Sequence, residues 1–355
     1  MLIFSGDTLA VRMKHVLLLG TGGTITAEIS GNAWKPGSIS VEELLSYLNI
    51  KKELKNVRLT VKELFNIDSS DMQPEFWVQI AKAIYSEIKQ NDIDGVVITH
   101  GTDTMSYTAS ALSFLLQNLP VPIVLTGSQI PPSQPNSDAR NNLLSAIRVA
   151  TETNLGEVVI VFNNKIIRGN RAKKLDESGF DAFESIAVPP LGYVVDRIKL
   201  RRGYIKKGNR RKLKLYDRIE TKAALIKLYP GFDPKILYKL IDMGYKGFVI
   251  EGFGAGNIPI NFNSLLPWII RAKEEKLPVV ISTQCIHGHE WALLYENGKK
   301  ALKMGAIPAY DMISETALVK LMWVLGITSE INKIKRLMLK PIAGEISSKA
   351  SKYGA

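Results

Sequence analysis

The stretch VLLLGTGGTI, residues 16–25, constrains this chain more than any other. Four apolar residues, Val16 to Leu19, run without a polar break into Gly20-Thr21-Gly22-Gly23-Thr24. A short, continuous apolar run ended by glycines reads as a strand buried on both faces, as in parallel sheets. The glycines let the backbone turn sharply and lie close to a neighbouring segment. In an open parallel sheet, ligands sit beyond the carboxyl ends of the strands. The first strand therefore aims two hydroxyls, Thr21 and Thr24, at the expected binding edge. Taken alone, both also read as caps of a following helix.

The rest of the chain repeats the pattern of apolar strand, polar loop and helix. Ser40 and Glu43 form a capping-box signature ahead of an amphipathic run at 41–48. Apolar runs at 58–65, 95–98, 123–125 and 158–162 alternate with helical patterns at 74–89, 105–116 and 138–152. That order predicts an α/β fold whose parallel sheet is joined by right-handed crossovers. Between Gly169 and Tyr216 the alternation lapses. It resumes with strands at 224–228, 248–251 and 279–283 and helices at 234–243 and 315–325. The expected organisation is an N-terminal extension at 1–12, a larger domain at 13–200, a basic linker at 201–219 and a smaller domain at 220–355.

With 355 residues, 46% of them hydrophobic, the chain can build two cores, and its apolar runs are far shorter than a membrane span. The first residues lack a basic segment followed by an apolar one, so no secretory leader is expected. One cysteine, Cys285, excludes an intramolecular disulfide and a multi-cysteine metal site, and fits the cytoplasm. The net charge of +12 is concentrated between Lys199 and Lys214, where nine residues are basic. No aromatic stacking pattern accompanies them, so a solvated basic segment is favoured over a nucleic-acid interface.

Several strand ends of the first half carry the same chemistry: Thr21 and Thr24; Ser69, Ser70 and Asp71; Thr102, Asp103 and Thr104; Ser128 with Gln129. On neighbouring strands these converge on one hydroxyl-rich pocket with a carboxylate inside it. A hydroxyl becomes a nucleophile only when a base takes its proton, and backbone N–H groups in a glycine turn can hold an oxyanion. Such a pocket suits a small zwitterion, with donors for its carboxylate and Asp for its ammonium. Competing signals are weaker. GFGAGN at 252–257 has Asn257 where a dinucleotide loop needs its third glycine. His287 and His289 lack partners at metal-ligand spacing. Neither a phosphate-binding G-x-x-x-x-G-K motif nor a G-x-S-x-G elbow is present.

TGGTI at 21–25 and HGTDT at 100–104, with the spacing between them, resemble the two signature regions of bacterial-type L-asparaginases. The likeness continues through NIDSSDMQP at 66–74, TGSQIPPSQPNSDARNN at 126–142, FNNKIIRGNRAKK at 162–174, GFGAGN at 252–257, TQCIHGHE at 283–290 and DMISETALVKLMWVLG at 311–326. It thus covers almost the whole chain from Lys14.

The resemblance implies a flavodoxin-like N-terminal domain, a smaller α/β C-terminal domain, and hydrolysis of L-asparagine to L-aspartate and ammonia with no cofactor and no metal. It implies Thr24 as nucleophile and Thr102, Asp103 and Lys174 as the second catalytic group; adjacent Lys173 leaves that register open. Ser69 and Asp103 match substrate contacts, with Ser70, Thr102 and Ser128 beside them. Asn257 matches a position that reaches a neighbouring subunit's site, so a homodimer or a dimer of dimers is expected, with no membrane and no nucleic-acid partner. One departure stands out: between Thr24 and Ser38 no tyrosine occurs where many relatives carry one, and the nearest aromatic is Trp34. Two rivals remain. AALIKLYPG at 223–231, GYKGFVIEGFGAGN at 244–257 and KPIAGEI at 340–346 also resemble the asparaginase-like component of the archaeal tRNA-dependent amidotransferase. That component is expected to carry an extra domain ahead of the nucleophile strand, where this chain has about a dozen residues. The other rival is a non-catalytic amino-acid-binding module, which the intact Thr24, Thr102, Asp103 and Lys174 disfavour.

Overall fold

A computed structural model describes residues 12–50, 52–203, 206–208, 211–288 and 295–347. Most of the expected N-terminal extension, Arg210 of the basic stretch, and His289 lie outside the described residues.

The first strand, Lys14–Gly22, lies one strand in from the edge of an eight-stranded sheet. Its side chains alternate between two cores, as a strand's two-residue period requires. Val16 and Leu18 join one cluster with Val41, Leu44 and Leu143, from the helices Val41–Leu48 and Ala139–Glu152. Leu17 and Leu19 join another with Trp77, Ile80 and Leu112, from the helices Pro74–Gln90 and Met105–Leu115. The apolar run thus feeds helical layers on both faces. Ser40 caps its helix as the sequence indicates, with the Glu43 N–H on the Ser40 hydroxyl and the Glu43 carboxylate on the Ser40 N–H.

The strand Val57–Ile67 pairs with the first strand on one side, and Gly95–Thr99 pairs with it on the other. Ile123–Thr126 and Val158–Phe162 follow outward, all parallel. This is the 2-1-3-4-5 order of flavodoxin-like sheets, whose direction reverses between strands one and three. Beyond Phe162 the sheet continues as antiparallel strands, Lys165–Arg168, Gly192–Val194 and Ile198–Leu200. The region read as a lapse in alternation therefore supplies two strands of this sheet edge, Gly192–Val194 and Ile198–Leu200, pieces of three residues that carry no readable period.

The smaller unit has four parallel strands: Ala223–Lys227, Gly247–Gly252, Val279–Thr283 and Ile307–Pro308. The helices Lys235–Asp242, Leu266–Glu274 and Glu296–Met304 share an apolar cluster on one face. The helix Ser314–Ile327 covers the other face and also packs on Met105–Leu115 of the first unit, with Trp323 stacked on Phe114 at 5.6 Å. One apolar cluster accordingly runs through both units. No helix is long and apolar enough to cross a membrane among the described residues.

Candidate active site

The glycines of TGGTI allow three strand ends to nest. Gly22 and Gly23 have φ of 97° and 87°, a region that side chains disfavour. A Cβ on Gly23 would overlap the Gly101 backbone, and one on Gly101 would overlap the Ser69 hydroxyl. Only glycine at both positions brings Thr24, Ser69 and Thr102 to one place, at the reversal point of the sheet.

They line a cavity of about 300 Å³, together with Trp34, Pro36, Asp68, Asp103, Gln129, Lys174 and Glu177. Thr24 opens a short 3-10 turn, Thr24–Thr26, and is half-buried. Thr21 is different: its hydroxyl donates to the Thr99 carbonyl at 2.8 Å, inside the sheet. Thr102 is 6% exposed. Lys174 Nζ donates to Thr102 Oγ1 at 2.8 Å and to Asp103 Oδ1 at 2.7 Å, and Thr102 donates onward to Gln129 Oε1 at 3.3 Å. The Lys174 side chain is 17% exposed and that of Asp103 63%, so the ammonium is sheltered while the carboxylate stays open to solvent.

Strand alternation sends Lys173 and Lys174 to different partners. Both lie on the strand Ala172–Lys174, paired antiparallel with Phe183–Ser185. Consecutive side chains on a strand point oppositely. Lys174 meets Thr102, while Lys173 pairs with Glu315 of the smaller unit.

Behind the strand ends, His100 is fully buried. Its Nδ1 stands 2.7 Å from the Gly101 carbonyl and its Nε2 2.9 Å from Thr108 Oγ1. Burial drives its pKa down to about 4, so it is neutral and braces the Gly101–Thr102 turn. Asp138 accepts from the N–H groups of Gln129 and Ile130 and holds the loop that presents Gln129. Its burial pushes its carboxyl above the ordinary value.

Over the cavity stands a hairpin, Glu28–Ser30 against Ala33–Lys35. Its base is fixed: Gly37 N–H donates to Gly23 O, and the Ser38 and Ile39 N–H groups donate to Thr26 O. Its tip is exposed, with Ile29 paired across from Trp34.

The structure leaves three expected residues off the cavity wall. Ser128 is buried and donates to the Ile130 carbonyl at 2.9 Å, and its neighbour Gln129 faces the cavity instead. Ser70 donates through both N–H and hydroxyl to Asp68 Oδ1, at 2.9 Å each. Asn257 closes a turn with Phe253 through two backbone hydrogen bonds. Asp68, Pro36 and Glu177 are wall residues that sequence reasoning missed. Asp68 had a signal, since an Asp followed by Ser-Ser reads as an N-cap at a strand end. Among the described residues no group of three or more His, Cys, Asp or Glu is arranged to hold a metal ion.

Residues 15–206 match the family model described as Asparaginase, N-terminal, and residues 222–338 match the Glutaminase/Asparaginase C-terminal domain. The chain belongs to the asparaginase family. Among curated relatives of this asparaginase-family chain, a component of the glutamyl-tRNA(Gln) amidotransferase of Pyrococcus abyssi is 41% identical over 349 residues, covering 94% of this chain and 77% of that protein. The L-asparaginase of Thermococcus kodakarensis is 39% identical over 333 residues, covering 94% and 99%. The solved structure of the thermostable L-asparaginase from Thermococcus kodakarensis superposes with a TM-score of 0.87 at 37% identity, covering 94% of this chain and 99% of that one.

Proposed function

We propose that this chain hydrolyses the side-chain amide of L-asparagine to L-aspartate and ammonia, with Thr24 as the nucleophile. The observation that carries the reading is the Lys174–Thr102–Asp103 arrangement, with contacts of 2.8 and 2.7 Å, on the wall of the cavity that Thr24 also lines. The match to an L-asparaginase along 99% of that protein supports it.

In this mechanism, Ser69 and Asp103 hold the carboxylate and ammonium of the substrate. Thr24 Oγ1 attacks the amide carbon and gives up its proton as the C–O bond forms. The N–H groups of Thr24 and Thr102 have no backbone acceptor among the described residues, and they hold the oxyanion. Collapse breaks the C–N bond, the leaving nitrogen takes a proton, and ammonia departs, leaving a β-aspartyl ester on Thr24. Water, deprotonated on its way in, attacks the ester carbon and releases aspartate and the threonine hydroxyl. The Thr102–Lys174 pair is assigned the proton transfers, because Lys174 is the one amine on the cavity wall among the described residues. Trp34 cannot take that role, since an indole N–H only donates.

The proposal includes no cofactor and no metal, a cytoplasmic setting, and a homodimer or dimer of dimers in which Asn257 reaches toward the neighbouring subunit. It also takes 13–200 and 220–355 as the two domains. A second reading, the glutaminase component of a tRNA-dependent amidotransferase, is favoured by the 41% identity to the Pyrococcus abyssi protein. Ammonia release from asparagine and from glutamine, each with and without tRNA, separates the two. Turnover of asparagine by the chain alone supports the first reading; glutamine turnover only with tRNA and a partner protein replaces it with the second.

A further inference from the structure

The cavity holds more negative charge than amide hydrolysis calls for. Among the described residues three acidic residues line it, Asp68, Asp103 and Glu177, against a single basic one, Lys174. Asp68 is taken up by Ser70, and Asp103 by Lys174. Glu177 is exposed and, among the described residues, its carboxylate has no hydrogen bond or ion pair. Its placement is not a loose end of the chain. Next to it, Asp176 accepts from the N–H groups of Ser178 and Gly179 at 2.9 and 2.8 Å, and Gln129 donates to the Gly179 carbonyl at 3.1 Å. The loop is braced, and its backbone places Glu177 on the cavity wall.

We propose that Glu177 is a specificity-determining residue that sets the affinity for the acid product apart from that for the amide substrate. The inference rests on the asparaginase reading. Substrate and product share the α-ammonium and α-carboxylate, so attraction or repulsion between Glu177 and those groups cancels in their ratio. They differ by one negative charge, which the reaction creates on the side-chain carbon beside Thr24. Thr24 and Glu177 line the same cavity of about 300 Å³, so Glu177 and that new carboxylate border one small space, on the order of a Debye length across at ordinary salt. Like charges at that distance, partly open to solvent, disfavour the product by about three- to tenfold. Glu177 thus helps expel aspartate once the ester is cleaved.

The test is ammonia release from L-asparagine with L-aspartate as competitive inhibitor, at low and high ionic strength, in the wild type, Glu177→Gln and Glu177→Asp. The expected result is an aspartate Ki that falls in Glu177→Gln by about three- to tenfold more than the asparagine KM does at low salt. That gap narrows at high salt, and Glu177→Asp retains the wild-type ratio. Ki and KM moving together, or a salt-independent shift, overturns the inference, because a loop role would change both equally. A wild type that hydrolyses no asparagine overturns the asparaginase reading itself, whereas normal hydrolysis with an unchanged Ki-to-KM ratio overturns only the role of Glu177.

Discussion

Lys174 shows how much chemistry depends on which way one side chain points. Neutralising it in Lys174→Met removes the one amine that the described residues place on the cavity wall and leaves Thr102 without its 2.8 Å donor. Steady-state assays should show kcat reduced by about 10²- to 10⁴-fold in the folded enzyme. Lys173→Met instead strands Glu315, so denaturant melts should register lost stability with turnover largely kept. His100 affects the molecule through protonation. The folded chain keeps it neutral, with a pKa of about 4, whereas the unfolded chain takes up that proton near pH 6.5. Its contribution is fully present above pH 6.5 and is lost as pH falls from there to about 4, by about 3 kcal/mol in all. Urea midpoints across that range should therefore fall less steeply in His100→Asn than in the wild type; parallel slopes would refute the assignment.

At the scale of elements, the hairpin over Thr24 is the least conventional part of the site. Trp34 lines the cavity but offers only an N–H donor. If it serves as an apolar cover, Trp34→Phe keeps kcat within about twofold and Trp34→Tyr gains nothing large; a collapse of kcat in Trp34→Phe alone would show that the indole N–H takes part. Elements with a long period were legible in the sequence. The buried first strand, the capped helix at 41–48 and the helix starting at Pro74 emerge close to where their patterns place them. The hairpin Glu28–Lys35, the antiparallel edge strands and the helix Glu296–Met304 did not. The first two are too short for alternation to register, and Gly298 and Lys299-Lys300 blur the apolar stripe of the third. The same limit applied within the site. Thr24, Thr102 and Asp103 are legible as types at strand ends and Lys174 only through the family resemblance, but whether Ser128 or Gln129 faces inward is set beyond Thr126, where the strand and its alternation end. Glu177 sits on a loop without period, so no pattern in the sequence places it at the site.

Across the whole molecule, charge is buried where the two units meet. Arg171 lies three residues before Lys174 and pairs with Asp311 at 3.1 Å, with both side chains fully buried. Lys320 pairs with Glu345 at 2.6 Å, also fully buried, and donates to the Met338 and Lys340 carbonyls. The Gly344 carbonyl accepts from Arg171 Nε at 3.0 Å, so the 340–346 segment is fastened to the turn that leads into the strand carrying Lys174. Removing one partner of such a pair leaves an uncompensated buried charge, which costs about 3–5 kcal/mol. Asp311→Asn should lower the unfolding free energy by that order while both units still melt in one transition, because a single apolar cluster spans them. Two separated calorimetric transitions in the wild type would contradict that coupling. The basic stretch is likewise tied to the body: Lys206 N–H donates to Glu157 at 2.7 Å, and Gly208 N–H to the Asn154 carbonyl at 2.7 Å. Its described part is bound to the first unit rather than strung freely between the two.

Every step assigned above passes through one covalent bond, and that bond can be observed. The enzyme is mixed with L-asparagine, quenched in acid within a turnover, digested and mapped by mass spectrometry. The expected result is an aspartyl ester on the peptide carrying Thr24, absent in Thr24→Ala, which still binds aspartate but releases no ammonia. An aspartyl adduct on Thr102 instead, or ammonia release by Thr24→Ala at the wild-type rate, would contradict the assignment of Thr24 as nucleophile.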